Sequence, residues 1–328
     1  MAQAKGLSLL SGGLDSQLAV CVLREAGAYM EGVTFETPFF SAAAARKAAK
    51  ALGLPLTVVD FTADEIALVK NPPHGYGGAM NPCIDCHATM IRRAGEIMRE
   101  RGFDFVSTGE VVNQRPMSQT RQSLGVVARA CGLEGRLVRP LSAQLLEPTQ
   151  PEIDGIIDRT KLLGLSGRQR QPQMELAAKF GLTDYPSPAG GCLLTEKGFG
   201  RRLKDLMDHE GLDDLRLVRM LRAGRRFRLP GGASVILGRD ATDNARLESE
   251  RAAGEVLVAP VSVPGPTALV LSPCESDLAL VRTLVCAYSR YDRFEGEVTV
   301  KSTGDSGRED FKVARPYSRD AFKQYQLT

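Results

Sequence analysis

No apolar run in this chain approaches the ~18 residues that a helix needs to cross a bilayer, so no transmembrane helix is expected and no membrane partner. The first ten residues, Met1 to Leu10, run into a glycine motif with no cleavage-site pattern behind them. A secretory signal is therefore not expected either. Neither sign of charge dominates: 42 Lys and Arg stand against 39 Asp and Glu, a net charge of +3. That balance excludes a histone-like polycation and leaves room for a local basic face. Cysteine is sparse and odd in number, seven in 328 residues, which excludes a disulfide scaffold. A reducing cytoplasm, with some cysteines used for chemistry, is the expectation. Internal repeats and low-complexity tracts are also missing. What remains is an ordinary globular composition, 43% hydrophobic and 25% charged. The length suits about two domains of roughly 150 residues each.

The first half alternates strand and helix signals. Strands are expected over 6–10, 31–37, 55–61, 103–108 and 136–141, and helices over 17–26, 42–52, 83–101 and 124–131, with Gly102 stopping the third helix. Repeated β-α-β units imply a mainly parallel, doubly wound sheet with helices on both faces. The second half changes character: a connecting helix over 201–209, then short strand-like runs over 233–237, 254–260 and 267–271 with Gly/Pro punctuation. It reads as a smaller α+β domain. The expected division is 1–198 and 199–328.

Ser11-Gly12-Gly13-Leu14-Asp15-Ser16 follows a strand and opens a helix. Glycines there let backbone N–H groups approach an anion, and a helix N-terminus favours negative charge. Ser11 and Ser16 add hydroxyl donors, and Asp15 is placed to hold Mg²⁺ between phosphates. Ligands of such sheets sit beyond the carboxyl ends of the strands, at a switch point. No Gly-Lys-Ser/Thr follows, so this is not a Walker A loop, and the spacing is not Gly-x-Gly-x-x-Gly. The plain alternative is a glycine turn with an Asp/Ser helix cap.

Cys83-x-x-Cys86 lies at the mouth of a helix, after a loop holding Gly75, Gly77 and Gly78. A helix N-terminus lowers a thiol's pKa. The pair alone reads as half a zinc site, a redox pair, part of an iron–sulfur site, or two core cysteines. His87 and His74 are the nearby candidates for further ligands. Cys192, in Ser187-Pro188-Ala189-Gly190-Gly191-Cys192, is a third member. Three thiolates can bind a cubane cluster and leave one iron open to exogenous sulfide. Cys21, Cys131, Cys274 and Cys286 read as packing residues.

The Ser-Gly-Gly-x-Asp-Ser motif resembles that of the PP-loop ATP pyrophosphatases, with their adenine nucleotide alpha hydrolase-like fold. Those enzymes cleave ATP to pyrophosphate while moving AMP onto a substrate oxygen. The resemblance implies that Ser11, Gly12, Gly13, Asp15 and Ser16 grip the pyrophosphate and that the end of the second strand, near Phe35, lies by the adenine. Thr108-Gly109-Glu110 followed by Ser118-Gln119-Thr120 resembles a segment of the tRNA 4-thiouridine synthases, which adds Gly109 to the nucleotide site. Asn81-Pro82-x-x-x-Cys86 resembles the tRNA 2-thiouridylases, and Cys192 falls where these families place a catalytic cysteine. Cys-x-x-Cys with a distant third Cys resembles the members that use a 4Fe–4S centre, here on Cys83, Cys86 and Cys192. Neither a THUMP-like region nor a rhodanese domain is recognisable. Sulfur is therefore expected from outside, as free sulfide or through a cysteine desulfurase.

Arg219, Arg222, Arg225, Arg226 and Arg228 crowd into ten residues, a phosphate-binding pattern or a solvated helix face. Gly238-Arg239-Asp240-x-x-x-Asn244 resembles the signature of the NFACT-R RNA-binding module of ribosome quality-control factors. Together these resemblances imply an ATP-dependent tRNA sulfurtransferase acting through Asp15, Cys86 and Cys192, with ATP, Mg²⁺ and a 4Fe–4S cluster, and with tRNA as partner. Two alternatives stand beside it: an amidating PP-loop ligase, and a noncatalytic nucleotide-binding RNA factor. The reading leaves room for a homodimer.

Overall fold

The apolar strands and amphipathic helices of the first half build a five-stranded sheet in the computed structural model, which describes residues 3–115, 118–133, 135–187, 191–290, 296–314 and 318–328. The chain divides into two units, Met1–Glu196 and Lys197–Thr328, and each is described by itself.

In the N-terminal unit, β1 (Lys5–Leu9), β2 (Tyr29–Glu36), β3 (Leu56–Asp60), β4 (Phe105–Ser107) and β5 (Leu137–Val138) lie in the order β3-β2-β1-β4-β5, every pair parallel. Leu7 of β1 stands opposite Glu31 of β2 and Val106 of β4. Side chains alternate between the two faces. Met30 and Phe105 join the core built by α1 (Leu14–Glu25) and α2 (Ala43–Ala51). Leu7, Val33 and Val106 join the opposite core with α4 (Cys83–Arg101) and α5 (Arg121–Ala130). Both faces are covered, which explains the near-continuous apolar strands. The chain builds one side of the sheet as β1-β2-β3 and then crosses to β4, so the switch point lies between β1 and β4.

The structure adds α3 (Thr62–Lys70), which the sequence pattern does not announce. Its Glu65 is fully buried, and a carboxylate at a core position breaks the apolar stripe by which a helix is recognised. Two further helices, α6 (Gln150–Ile153) and α7 (Gln171–Lys179), follow β5. Helix α5 starts three residues earlier than expected because Thr120 Oγ1 accepts the Ser123 N–H at 3.0 Å, a helix cap.

The C-terminal unit contains α8 (Lys197–His209), α9 (Leu215–Met220), β6 (Arg225–Arg228), β7 (Ser234–Leu237), α10 (Ala241–Ser249), β8 (Val256–Pro260), β9 (Ala268–Leu271), α11 (Glu275–Tyr288), β10 (Val298–Gly304) and β11 (Gly307–Val313). Its strands form an antiparallel six-stranded sheet in the order β11-β10-β8-β9-β7-β6. Val281, Leu284 and Val285 of α11 pack on Phe227, Val235, Val258 and Val270 of the sheet. Neither the β10–β11 hairpin nor α11 is expected from sequence. Among the described residues no helix is long and apolar enough to cross a membrane.

Candidate functional site

The loop after β1 has a conformation that its glycines permit. Gly12 has φ 83°, and a Cβ there would fall 2.4 Å from the Ala44 carbonyl carbon. The loop closes on itself: Ser16 Oγ donates to the Gly13 carbonyl at 2.8 Å, Ser11 Oγ to Ser16 Oγ at 3.2 Å, and Gln17 Nε2 to the Gly12 carbonyl at 3.0 Å. Gly13 is the N-cap residue of α1, and no side chain caps the helix. First-turn N–H groups are thus left for an anion, with the helix dipole behind them.

Asp15 sits in that first turn. Its Oδ2 accepts from Gln114 Nε2 at 3.0 Å, while its buried Oδ1 has no hydrogen-bond partner among the described residues. Burial pushes its pKa up, against the pull of the Gln114 hydrogen bond, of Arg170 and Arg115, and of the nearby Gln173 amide. Arg170 Nε and Gln173 Oε1 are likewise buried without partners. Leaving such atoms unpaired is costly. An unpaired carboxylate oxygen beside an anion-ready helix end and two guanidiniums fits a metal-bound polyphosphate.

The β4 loop closes against this turn. A Cβ on Gly109 would lie 2.5 Å from the Asp15 carbonyl carbon, so Gly109 lets two backbones touch. Glu110 beside it is buried and ion-paired with Arg139 at 2.8 Å. It also accepts from Thr108 Oγ1 at 3.0 Å and meets His87 Nδ1 at 3.3 Å. Burial would raise its pKa, but Arg139 and His87 outweigh that and hold it at about 2. This charged strut ties the ends of β4 and β5 to α4. His74 is bound instead to Asp85, at 2.6 Å.

At the mouth of α4, Asn81 Nδ2 donates to Cys83 Sγ at 3.1 Å, and Cys86 Sγ donates to Glu65 Oε2 at 3.1 Å. The other oxygen of Glu65 is buried without a partner among the described residues. Burial lifts Glu65 to about 7 and Cys192 to about 12. Cys86 is pushed well above its ordinary value, first by burial and then by Glu65, Cys192 and Cys83. These mutual effects mark Cys83, Cys86, Cys192 and Glu65 as one neighbourhood. The Leu193 N–H holds the Cys192 segment to the Phe39 carbonyl at 3.1 Å. Residues 188–190, expected to bring glycine beside Cys192, lie outside the described residues.

The structure bears on several expectations. Among the described residues no group of three or more His, Cys, Asp or Glu is arranged to hold a metal ion, so this geometry lends no support to the expected 4Fe–4S site on Cys83, Cys86 and Cys192. The helix N-terminus does not lower the Cys86 pKa, because desolvation and a neighbouring carboxylate outweigh it. The Phe35 side chain is 5% exposed and packs edge-on against Phe61, with centroids 5.4 Å apart.

The arginine run is not one helix face: Arg219 lies in the last turn of α9, Arg222 lies in the turn after it, and Arg225, Arg226 and Arg228 are on β6, whose period of two splits them. Arg226 is 1% exposed, and burial lowers its pKa to about 10. Arg228 pairs with Asp205 at 2.7 Å and Glu210 at 2.9 Å. These two therefore face the unit's interior and do not serve as phosphate ligands. Arg219 and Arg222 are exposed, and Arg225 is half-buried. The Gly238–Asn244 signature is structural as well. Asp243 accepts from Gly224 N at 3.1 Å and Arg239 Nε at 2.7 Å, and Asn244 Oδ1 accepts the Thr267 N–H at 2.9 Å.

Sequence reasoning missed Glu65, Gln114, Arg170 and Gln173. Gln114 sits four residues past the Thr-Gly-Glu segment, which is a signal of sorts. Nothing local marks the other three.

Residues 1–144 match the family model described as thiamine biosynthesis protein (ThiI), and residues 224–326 match the NFACT protein RNA binding domain. The tRNA-specific 2-thiouridylase MnmA of Chloroflexus aurantiacus is 32% identical over 125 residues, 32% of this chain and 34% of that protein. MnmA of Symbiobacterium thermophilum is 26% identical over 225 residues, 61% of this chain and 55% of that one. The probable tRNA sulfurtransferase of Anoxybacillus flavithermus is 30% identical over 132 residues, 38% and 32% of the two chains. The chain thus spans about a third to a half of the curated relatives it matches. A solved 4-thiouridine synthetase–RNA complex with bound ATP aligns with a TM-score of 0.41 at 22% identity, over 66% of this chain and 52% of that one.

Proposed function

We propose that this chain, a ThiI-like PP-loop domain followed by an NFACT-type RNA-binding domain, is a cytoplasmic ATP-dependent tRNA sulfurtransferase. The observation that carries the reading is the buried Asp15 Oδ1, unpaired among the described residues, in the helix turn that follows a glycine loop at the switch point of a parallel sheet. In this reading the first-turn N–H groups of α1, Ser11 and Ser16 bind the triphosphate, and Arg115 and Arg170 draw its charge inward. Mg²⁺ held by Asp15 would neutralise the departing pyrophosphate.

A uridine carbonyl oxygen attacks the α-phosphorus, the bond to pyrophosphate breaks, and an adenylated base results. A sulfur nucleophile then attacks the activated ring carbon, the carbon–oxygen bond breaks, and AMP leaves a thiocarbonyl. Splitting one hard exchange into two steps is the gain of covalent activation. One of Cys86 and Cys192 receives persulfide sulfur from a desulfurase, and its terminal sulfur attacks the ring carbon as AMP leaves. The other cysteine then attacks the S–S bond, releasing the thiocarbonyl and leaving a Cys86–Cys192 disulfide that an external dithiol reduces. Free sulfide would attack the ring carbon directly, with no cysteine carrier. Glu65, in contact with Cys86, is the local proton acceptor. The target base has to leave its stack to enter such a site. Arg219, Arg222 and Arg225 bind the RNA backbone.

Mass spectrometry of tRNA nucleosides from a deletion strain tests the reading, together with tRNA-dependent pyrophosphate release by the pure protein. Loss of one thiouridine species and its return on complementation are expected. An unaltered set of thionucleosides, with no tRNA-dependent turnover, would overturn it.

A further inference from the structure

Tyr288, the last residue of α11, lies beside two guanidinium groups. Arg225 of β6 sits 5.3 Å from its ring centroid, and Arg319, from the 3-10 turn Arg319–Tyr325, sits 5.0 Å from it. The two positive charges therefore lie within about 10 Å of each other, about one Debye length at 0.1 M salt. Neither has a carboxylate partner among the described residues. Arg319 Nε donates to the Ala287 carbonyl at 3.2 Å, and the adjacent Asp320 is taken by Lys323 at 2.6 Å.

Elsewhere in the unit arginines meet acids: Arg216 with Glu255 at 2.6 Å, Arg228 with Asp205 at 2.7 Å, Arg239 with Asp243 at 2.7 Å and Arg308 with Asp310 at 2.7 Å. Two like charges gathered without a counter-ion among the described residues repel, and the ring face offsets part of that cost. Phosphates paired with the guanidiniums would offset the rest. The ring is itself held from within, because Phe227 packs edge-on against it with centroids 6.1 Å apart. A ring anchored in the core thus orients two guanidiniums, one half-buried and one exposed.

We infer that Arg225, Tyr288 and Arg319 form a clamp for the phosphate backbone of tRNA, and that this clamp is a main RNA contact of the C-terminal unit. The inference rests on the RNA-binding reading above. Guanidinium planes suit this ligand because they pair with phosphate oxygens through a fixed fork and also stack on unpaired bases. The strand alternation that buries Arg226 and Arg228 is what turns Arg225 and Phe227 toward Tyr288.

The test measures binding of a tRNA transcript to the full chain by fluorescence anisotropy across salt concentrations. The double variant Arg225→Gln/Arg319→Gln should bind at least about tenfold more weakly. Its slope of log K against log salt should flatten by about 1.4–1.8, at roughly 0.7–0.9 per lost phosphate contact. Arg319→Glu alone, at an exposed position that leaves the core untouched, should also weaken binding if the double variant fails to fold. Arg308→Gln, an exposed arginine of the β11 hairpin, should bind like the unsubstituted chain. If the clamp variants keep full affinity and slope, or lose no more than Arg308→Gln does, the clamp is overturned while the RNA reading stands. If the unsubstituted chain does not bind tRNA, both fall.

Discussion

The two units handle polar groups in opposite ways. The N-terminal unit buries Asp15, Glu65, Arg170 and Gln173 with atoms left unpaired, all of them on helices or loops around the carboxyl ends of its parallel strands. The C-terminal unit pairs Arg216, Arg228 and Arg239 with acids, and its signature residues Asp240, Asp243 and Asn244 cap and tie its elements. In the proposed function these gaps are where a ligand would sit, with stability given up where chemistry is to occur. The second pairs most of its charged side chains internally, and in the proposed function it binds RNA through surface charge. Arg226, buried with Nε and Nη1 unpaired among the described residues, is an exception to that contrast, as is Ser234 Oγ.

The largest expected effect belongs to the gap at Asp15. Asp15→Asn should lower pyrophosphate release by about 100-fold or more, the scale seen when a preorganised charged group is removed from a transition state. The same change should leave the melting temperature equal or higher, since a desolvated carboxylate with a raised pKa opposes folding at neutral pH. A large fall in melting temperature would make Asp15 a structural residue and erase the contrast.

Next in size is the strut at Glu110. Glu110→Gln should cost about 3–5 kcal/mol, because Arg139 would be left buried without its counter-charge. Glu110 is held at about 2 when folded, below the ordinary ~4.3 of an exposed glutamate. Its contribution is therefore present above about pH 4.3 and lost as pH falls toward 2. The native protein should show an acid-induced loss of stability in that window, and the Gln variant a smaller one. Equal pH profiles in urea melts would refute the strut.

The smallest effect sharpens the exception. Arg226→Met should change the stability of the C-terminal unit by no more than about 1 kcal/mol, since a buried charge exchanged for an apolar side chain of similar volume is often neutral or stabilising. tRNA affinity should not change. A weakened RNA complex would return Arg226 to the binding surface.

Much of the first unit was legible in the residue order. The strands near 6–10 and 31–37 and the helix 83–101 are visible because apolar periodicity is local, and the end of that helix at Gly102 is visible because a left-handed cap selects glycine. Helix α3 was hidden by Glu65, whose burial beside Cys86 makes sense only in three dimensions. In the second unit the crowding of arginines was plain, but a strand and a helix distribute such a run onto different faces. The pairing of Arg225 with Leu237 across β6 and β7 settles which.

By itself the sequence determined the glycine loop, the parallel α/β class of the first half and the candidate roles of Asp15, Cys86 and Cys192, because turn chemistry and short-range spacing are written in consecutive residues. Tertiary structure alone decided the environment of each group. It buried Cys86 against Glu65 and raised both pKa values, held Glu110 charged between Arg139 and His87, and sent Arg226 inward while Arg225 and Arg319 each met the Tyr288 ring. Desolvation and Coulomb energy depend on what surrounds a charge, and the groups around these charges come from positions tens of residues away.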